Sequence, residues 1–431
     1  MNRKAIGLIL TAALAACQIT ACGPAQKVEA GEPTDYQSVK EVKEPEAIKY
    51  NDYEKMTQLR EKFPLQEEAL SSVEAFALKT SASILKGETG NKNYSPISLY
   101  YAMAIAASGA GGTTKEEMMS LLGAQNENQL KEWCQAMYRH LYLDNEYTKS
   151  KPANSLWLQK TYPFETSFTD TAADYFYASL YQVDFTDAGT GKAMGKWIAD
   201  HTGGKLTPDI VTDQEEVLSI INTIYFRSEW ISQFQKEDTR DGIFHTADGR
   251  EVPCEFMNQT DSMGSFYAGN GFLKASLLLK NGKMVFILPD EGVSTDALLG
   301  SEETVKEMFG KTELSYGIIN WSLPKFEFKS EMDLNEMVQS LGVKSAFRSD
   351  ADFRGISENS AYISKITQQT SIGVDENGVE ATAYTEMVLA GAGMMMDHAE
   401  MILDRPFLYG IYSDDGILMF AGICNDASVG R

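Results

Sequence analysis

DENGVEATAYTEMVLAGAGMMMDHAEMILDRP, residues Asp375–Pro406, decides how the chain is read. It follows ISKITQQTSIGV, which reads as a strand. It then runs for about thirty residues with few helix signals, and a structureless span of that length inside a compact domain is usually functional. Its first half has a period of two. Val379, Ala381, Ala383, Thr385, Met387 and Leu389 are apolar or small, and Glu380, Thr382, Tyr384 and Glu386 stand between them. That is the pattern of a strand with one buried face. The segment can be a loop in one state and a strand in another. An ordinary amphipathic edge strand has the same period, and periodicity does not choose between the two. The second half, Leu389–Met394, is small and unhindered, like a stretch open to proteases.

Upstream, LQEEALSSVEAFALKTSASIL has apolar residues at three- and four-residue spacing and reads as a helix. Ser95 and Pro96 start another, since serine caps and proline suits the first turn. That helix, rich in small residues, ends at Gly111-Gly112 and suits close approach to a sheet. Thr113-Thr114 with Glu116 and Glu117 opens the next. From about Ser155, β-rich runs appear: SLWLQ, VLSIINTIYF, FLKASLLLK, KMVFILP and SLPKFEFKSEMDL. Two alternating runs near the C-terminus flank Asp415-Gly416, a hairpin signal. Helices first, then many strands with helices between them, predict an α+β fold with large mixed or antiparallel sheets.

The first residues read as an address. Met1–Lys4 carry two positive charges, and the apolar run Ala5–Ala16 is short for a membrane span. Small residues precede Cys17 and Cys22, as in a bacterial lipoprotein signal, with Cys22 the favoured lipidation site and Cys17 nearly as good. The expected organisation is a signal over 1–22, a flexible tether over 23–55, rich in Glu, Lys, Pro and Ala, and one domain over 56–431. The product is exported and held at the envelope surface by lipid, or released. The chain has 61 acidic and 38 basic residues, a net charge of -23, which argues against nucleic acid or anionic membranes as direct partners. Cys134, Cys254 and Cys424 lack metal or redox spacing and read as buried, inert thiols.

No catalytic constellation stands out. The four histidines, His140, His201, His245 and His398, form no H-x-x-x-H pair. G-x-S-x-G and G-x-x-x-x-G-K-[ST] are absent, and HTGGK at His201–Lys205 reads as a helix end. No catalytic residue, cofactor or metal is assigned, and a hydrolytic lipoprotein is disfavoured.

GVEATA at Gly378–Ala383 resembles the hinge of the serpins. Other blocks are similar to serpin segments in the same order: NYSPISLYYAMAIAASGAGGTT (Asn93–Thr114), NSLWLQ (Asn154–Gln159), INTIYFRSEWISQF (Ile221–Phe234), LPDEG (Leu288–Gly292), LPKFEF (Leu323–Phe328), LGVKSAF (Leu341–Phe347), ADFRGIS (Ala351–Ser357) and DRPFLYGIYSDDGILMFAGI. The resemblance runs from about Leu65 to Asn425. It implies a serpin fold, not an enzyme, with an exposed reactive-centre loop. A serine protease cuts the loop, stays joined to it as an acyl-enzyme, and is disabled as the loop inserts as a new strand. Serpin loop insertion is a known example of strand addition and switching.

The resemblance also assigns residues. Gly378, Val379, Glu380, Ala381, Thr382 and Ala383 form the hinge. Ser95, Ser98, Asn222 and Gln368 form the region where the sheet opens, and Gln368 stands where many serpins have histidine. Val379 replaces the usual Thr or Ser, and Tyr384 a typical alanine. Spacing from Gly378 puts the scissile bond at Ala392–Gly393, with Met394 a second candidate because the loop is long. Small residues there, and no Arg or Lys between Gly378 and Asp404, point to an elastase-like target, trapped covalently by a monomer. Insertion of about a dozen residues is worth on the order of 10 kcal/mol, from Met or Leu burial and strand hydrogen bonds. The alternative function is a serpin-fold surface-binding protein that does not inhibit.

Overall fold

A computed structural model describes residues 37–213, 215–379 and 397–429. The first elements among the described residues are a short strand, β1 (Gln37–Lys40), and a helix, α1 (Tyr53–Lys62). There follow α2 (Glu67–Leu85), β2 (Lys92–Tyr94), α3 (Pro96–Ser108), α4 (Gly112–Leu122) and α5 (Glu127–Leu141). Strands and helices then mix: β3 (Leu143–Asp144), β4 (Thr148–Gln159), α6 (Thr166–Phe176), β5 (Ala178–Val183), α7 (Ala188–His201) and β6 (Leu218–Glu229). Next come β7 (Arg240–His245), β8 (Glu251–Gly269), β9 (Phe272–Leu278), β10 (Lys283–Pro289), α8 (Thr295–Leu299) and α9 (Glu302–Phe309). The last elements are β11 (Ser315–Pro324), β12 (Phe326–Asp333), α10 (Asn335–Ser340), β13 (Thr367–Val374), β14 (Gly378–Val379), β15 (Asp397–Ile402), β16 (Phe407–Tyr412) and β17 (Leu418–Cys424).

Among the described residues the strands form two sheets. The first runs β1-β5-β4-β6-β14-β13-β12, with β3 beside β4; the second runs β15-β11-β8-β9-β10-β16-β17-β2, with β7 beside β8. This is the α+β arrangement that the order of patterns predicts. Helix α3 packs against β6 and β17, so it lies between the sheets. Ile97, Tyr100, Tyr101 and Ala104 are wholly buried there, and a helix apolar all round belongs in a core. Ser95 caps α3 as expected, its Oγ accepting from the Ser98 N–H. The start of α4 differs from the Thr113-Thr114 expectation. Gly111 is its N-cap, with no side-chain capping bond.

One β-rich run divides between the sheets, and one further expectation is corrected. SLPKFEFKSEMDL is two strands, because Pro324 ends β11 in the second sheet and Phe326 starts β12 in the first. The tether expected over 23–55 contains structure in its second half: β1 pairs antiparallel with β5, and α1 begins at Tyr53. Pairing along a sheet edge uses backbone groups and needs no apolar period, so composition did not reveal it. Cys134, Cys254 and Cys424 are buried free thiols.

Helix α7 and the connector after it lie over the face of the first sheet. A Cβ on Gly191 would sit 1.9 Å from the Ile210 carbonyl oxygen, and one on Gly195 2.5 Å from that of Pro208. Only glycine lets the connector backbone lie this close to the helix.

Candidate functional site

The site starts where β13 reverses into β14. The Asp375 carboxylate accepts from the N–H groups of Asn377 and Gly378, at 2.8 and 3.2 Å. The Asp375 N–H donates to the Gly378 carbonyl at 3.0 Å. Aspartate closing its own turn in this way explains a tight reversal at DENG. Beyond it, β14 enters the first sheet with Gly378 opposite Glu229 and Val379 opposite Ser228 of β6. On its other side, Val379 stands opposite Val374 of β13. Val379 is 2% exposed. Gly378 and Val379, the first two residues expected to form a hinge, are thus seated as a strand.

Below Val379 the sheet is parted. Among the described residues, β6 and β13 pair with each other at no position, although each pairs with its outer neighbour, β4 and β12, along its length. A cavity lies between them, lined by Ile224, Phe226, Ile372 and Val379, with Ile411 and Phe420 of the second sheet behind. Thr202 and Leu206, from the connector after α7, also line it. The two faces of β6 differ. Phe226 points toward the second sheet, its ring centroid 6.4 Å from that of Phe420. Tyr225 points the other way, where a Cβ on Gly203 would meet its ring at 3.2 Å. Val379, in register with Ser228, shares the core side with Phe226, since residues two apart in a strand share a face.

The upper end of this slot is tied by groups that the sequence reading did not assign. Trp230 is buried and donates from Nε1 to the Asp375 carbonyl at 3.0 Å; its backbone N–H donates to the Asn377 carbonyl at 2.9 Å. The buried Glu376 accepts from the Thr239 hydroxyl at 2.9 Å and pairs with Lys325 at 3.2 Å. Burial alone pushes the Glu376 carboxyl up, but its own backbone N–H, Thr239 and Lys325 together hold it below the usual carboxylate range. Glu229, at the end of β6, goes the other way: burial pushes it up against the pull of Arg227 and Lys280. Trp230 lay inside a quoted block, and Glu376 stood beside the turn, but their partners lie far away in sequence and gave no local signal.

The residues expected where the sheet opens fall into two groups. Gln368 makes a two-way bond with the Ser95 backbone: its Oε1 accepts from the Ser95 N–H at 2.7 Å and its Nε2 donates to the Ser95 carbonyl at 2.9 Å. An amide carries both the donor and the acceptor for this. Ser95 Oγ donates to the Met419 carbonyl at 2.8 Å and accepts from Ser98 N–H. Asn222 is tied elsewhere, donating to Asn154 Oδ1 at 2.6 Å, while Asn154 donates to the Phe176 carbonyl. The buried Asn222 Oδ1 has no hydrogen-bond partner among the described residues. Glu380, Ala381, Thr382, Ala383, Ala392, Gly393, Cys17 and Cys22 lie outside the described residues. Among those described, no group of three or more His, Cys, Asp or Glu side chains is placed to hold a metal ion, and no helix is long and apolar enough to cross a membrane.

Comparison with known proteins agrees with this architecture. An uncharacterized serpin-like protein of Thermococcus kodakarensis is 31% identical over 360 residues, which are 78% of this chain and 81% of that protein. Serpin B6 of Pongo abelii is 29% identical over 369 residues, 80% of this chain and 96% of the relative. The structure of tengpin, a thermophilic serpin, in its native state has a TM-score of 0.75 at 25% identity, covering 84% of this chain and 95% of the other. Tengpin in its latent state has a TM-score of 0.72 at 24% identity, covering 84% and 98%. The family model described as Serpin (serine protease inhibitor) matches residues 71–427. With that match over most of its length, and with a fold shared with tengpin, the chain belongs to the serpins.

Proposed function

We propose that this serpin is a single-use inhibitor of an elastase-like serine protease, acting by loop cleavage, acyl-enzyme trapping and strand insertion. Serpins are generally protease inhibitors, and the observation that carries the reading to this chain is the seating of Val379. The residue that begins the alternating pattern sits buried at the head of a slot whose side walls do not pair with each other.

If the loop inserts and keeps this register, Ala381 would stand opposite Phe226, Ala383 opposite Ile224, Thr385 opposite Asn222, Met387 opposite Ile220 and Leu389 opposite Leu218. These are the small and apolar residues, and in the inserted strand all would share the core side with Val379. Thr385 would then bring a hydroxyl donor to the side of the strand that carries the unpartnered Asn222 Oδ1.

In the reaction, the protease serine Oγ attacks the Ala392 carbonyl. The C–N bond to Gly393 breaks, the protease histidine hands the serine proton to the leaving amine, and an ester joins Ala392 to the enzyme. Insertion then competes with hydrolysis of that ester. The inhibitor acts as a monomer, anchored through Cys22 or Cys17. Tengpin's structures in native and latent states support a fold with more than one stable arrangement.

The test is incubation with a panel of serine proteases, followed by denaturing electrophoresis and mass spectrometry of the released C-terminal fragment. A covalent complex with an elastase-like enzyme and a cut within two residues of Ala392–Gly393 are expected. Trapping of trypsin would overturn the specificity. Cleavage by every enzyme without any complex would point to a non-inhibitory binding protein.

A further inference from the structure

The N-terminal strap fixes where the tether leaves the body. β1 pairs with the outer edge of β5, with Gln37 opposite Gln182 and Lys40 opposite Leu180. β5 is parallel to β4, with Gln182 beside Leu158, which in turn stands opposite Leu218, the first residue of β6. Gly378 and Val379 pair at the other end of β6, with Glu229 and Ser228. The chain therefore enters the sheet at its foot, and the reactive loop leaves it at its head.

From the foot the strap climbs the sheet edge. Lys40 pairs with Asp174 at 3.1 Å, Glu44 accepts from the Tyr142 hydroxyl at 2.8 Å, and the Tyr50 ring meets that of Tyr147, centroids 4.9 Å apart. Tyr147 marks the head, since its carbonyl accepts from the Glu229 N–H. The strap is thus held along the sheet and its direction is set.

The slot runs the same way. From Ser228 to Leu218 is ten residues, about 33 Å at the rise of a strand. A loop that fills it carries its new end, and whatever is bonded to that end, to the foot. Continuing the register, Leu389 would reach Leu218, and Ala390, Gly391 and Ala392 would extend past it.

We propose that the lipid-anchored inhibitor stands with its reactive-loop end away from the bilayer, so that its foot, the end to which loop insertion carries a trapped protease, faces the membrane. This rests on the inhibitory, anchored reading above. The tether length then becomes a working dimension. Between Cys22 and Gln37 lie residues 23–36, fourteen in all. Fully extended they span about 46–50 Å. A protease of about 230 residues is roughly 45 Å across, from the scaling of compact domains. The tether is barely long enough to admit it. The foot does not invite adhesion to an anionic surface either: Asp213, Glu215, Asp333 and Glu336 are exposed there, against Lys160 and Lys365. Like charge holds that gap open.

The experiment uses the full lipidated chain in vesicles containing anionic lipid. Residues 25–32 are deleted in one variant, and Cys17→Ser/Cys22→Ser soluble counterparts are made of both lengths. Each is titrated with an elastase-like protease, and the ratio of trapped to cleaved inhibitor is read from gels. Full-length anchored and both soluble forms should trap alike, while the shortened anchored form should be cleaved with trapping reduced at least tenfold. Equal trapping by the shortened anchored form overturns the membrane-facing foot. A second readout needs no protease. Bimane on Glu215→Cys at the foot, or on Glu237→Cys near the head, is quenched by spin-labelled lipid. Stronger quenching at Glu215 is expected; the reverse order, or no membrane association, overturns the orientation. Absence of trapping in the soluble forms counts against the inhibitory reading instead, and leaves the quenching result to decide the orientation.

Discussion

Ala381→Arg tests the hinge most directly. Val379 stands opposite Ser228 on one side and Val374 on the other, so the inserted Ala381 falls between Phe226 and Ile372. Both are buried, at 6% and 2% exposed, and both line the cavity. An arginine there has no acceptor on the core side of either neighbour. An uncompensated buried charge costs about 3–5 kcal/mol. If about 2 kcal/mol of that is already felt in the insertion transition state, insertion slows roughly 30-fold, since 1.36 kcal/mol is a factor of ten. Ester hydrolysis at its normal rate then wins. Cleavage of the loop by the protease should be as fast as in wild type, because Ala381 is eleven residues from Ala392. The readout is the number of inhibitor molecules consumed per enzyme inactivated, with cleaved and complexed bands quantified by gel. Glu380→Ala is the control. In the inserted strand its register partner would be Arg227 on the opposite face, and a surface ion pair formed there would be worth about 0–1 kcal/mol. Wild-type trapping by Ala381→Arg, or a loss as large in Glu380→Ala, would refute the assignment of faces.

Cleavage within Leu389–Met396 should raise the melting temperature sharply, because about a dozen residues gain strand hydrogen bonds and burial; calorimetry of native and cleaved forms checks this, and a cleaved form melting at or below the native one contradicts it. Glu376 has a folded pKa below its unfolded value of about 4.3, so it contributes stability above that value, and the contribution is lost as pH falls through the folded pKa. Glu376→Gln should therefore be less stable than wild type at pH 7 and show a flatter loss on acidification, measured by urea unfolding between pH 7 and 3. Gly191→Ala drives a methyl into the Ile210 carbonyl and should destabilise by about 1–3 kcal/mol, seen as a lower melting temperature. A melting point unchanged within error would mean that the connector yields freely.

Local chemistry sufficed for the elements that carry their own signal. Ser95-Pro96 opens α3, Asp415-Gly416 separates β16 from β17, and ISKITQQTSIGV contains β13. The period of two that begins at Val379 told which side chains share a face, because alternation along a strand needs no partner to be defined. What the partner is depends on the rest of the chain. Nothing in SLPKFEFKSEMDL says that its halves belong to different sheets; that follows from β8 pairing with one and β13 with the other. QSVK at Gln37–Lys40 has no apolar pattern, and it becomes a strand because β5 offers an open backbone edge. Gln368 was placed near Ser95 through the family resemblance, but its two-way bond to the Ser95 backbone joins positions 273 residues apart. Trp230 with Asp375, and Lys325 with Glu376, are likewise long-range ties. Side-chain spacing records which face a residue turns to; hydrogen-bond partners across a sheet are chosen only when distant segments are brought side by side.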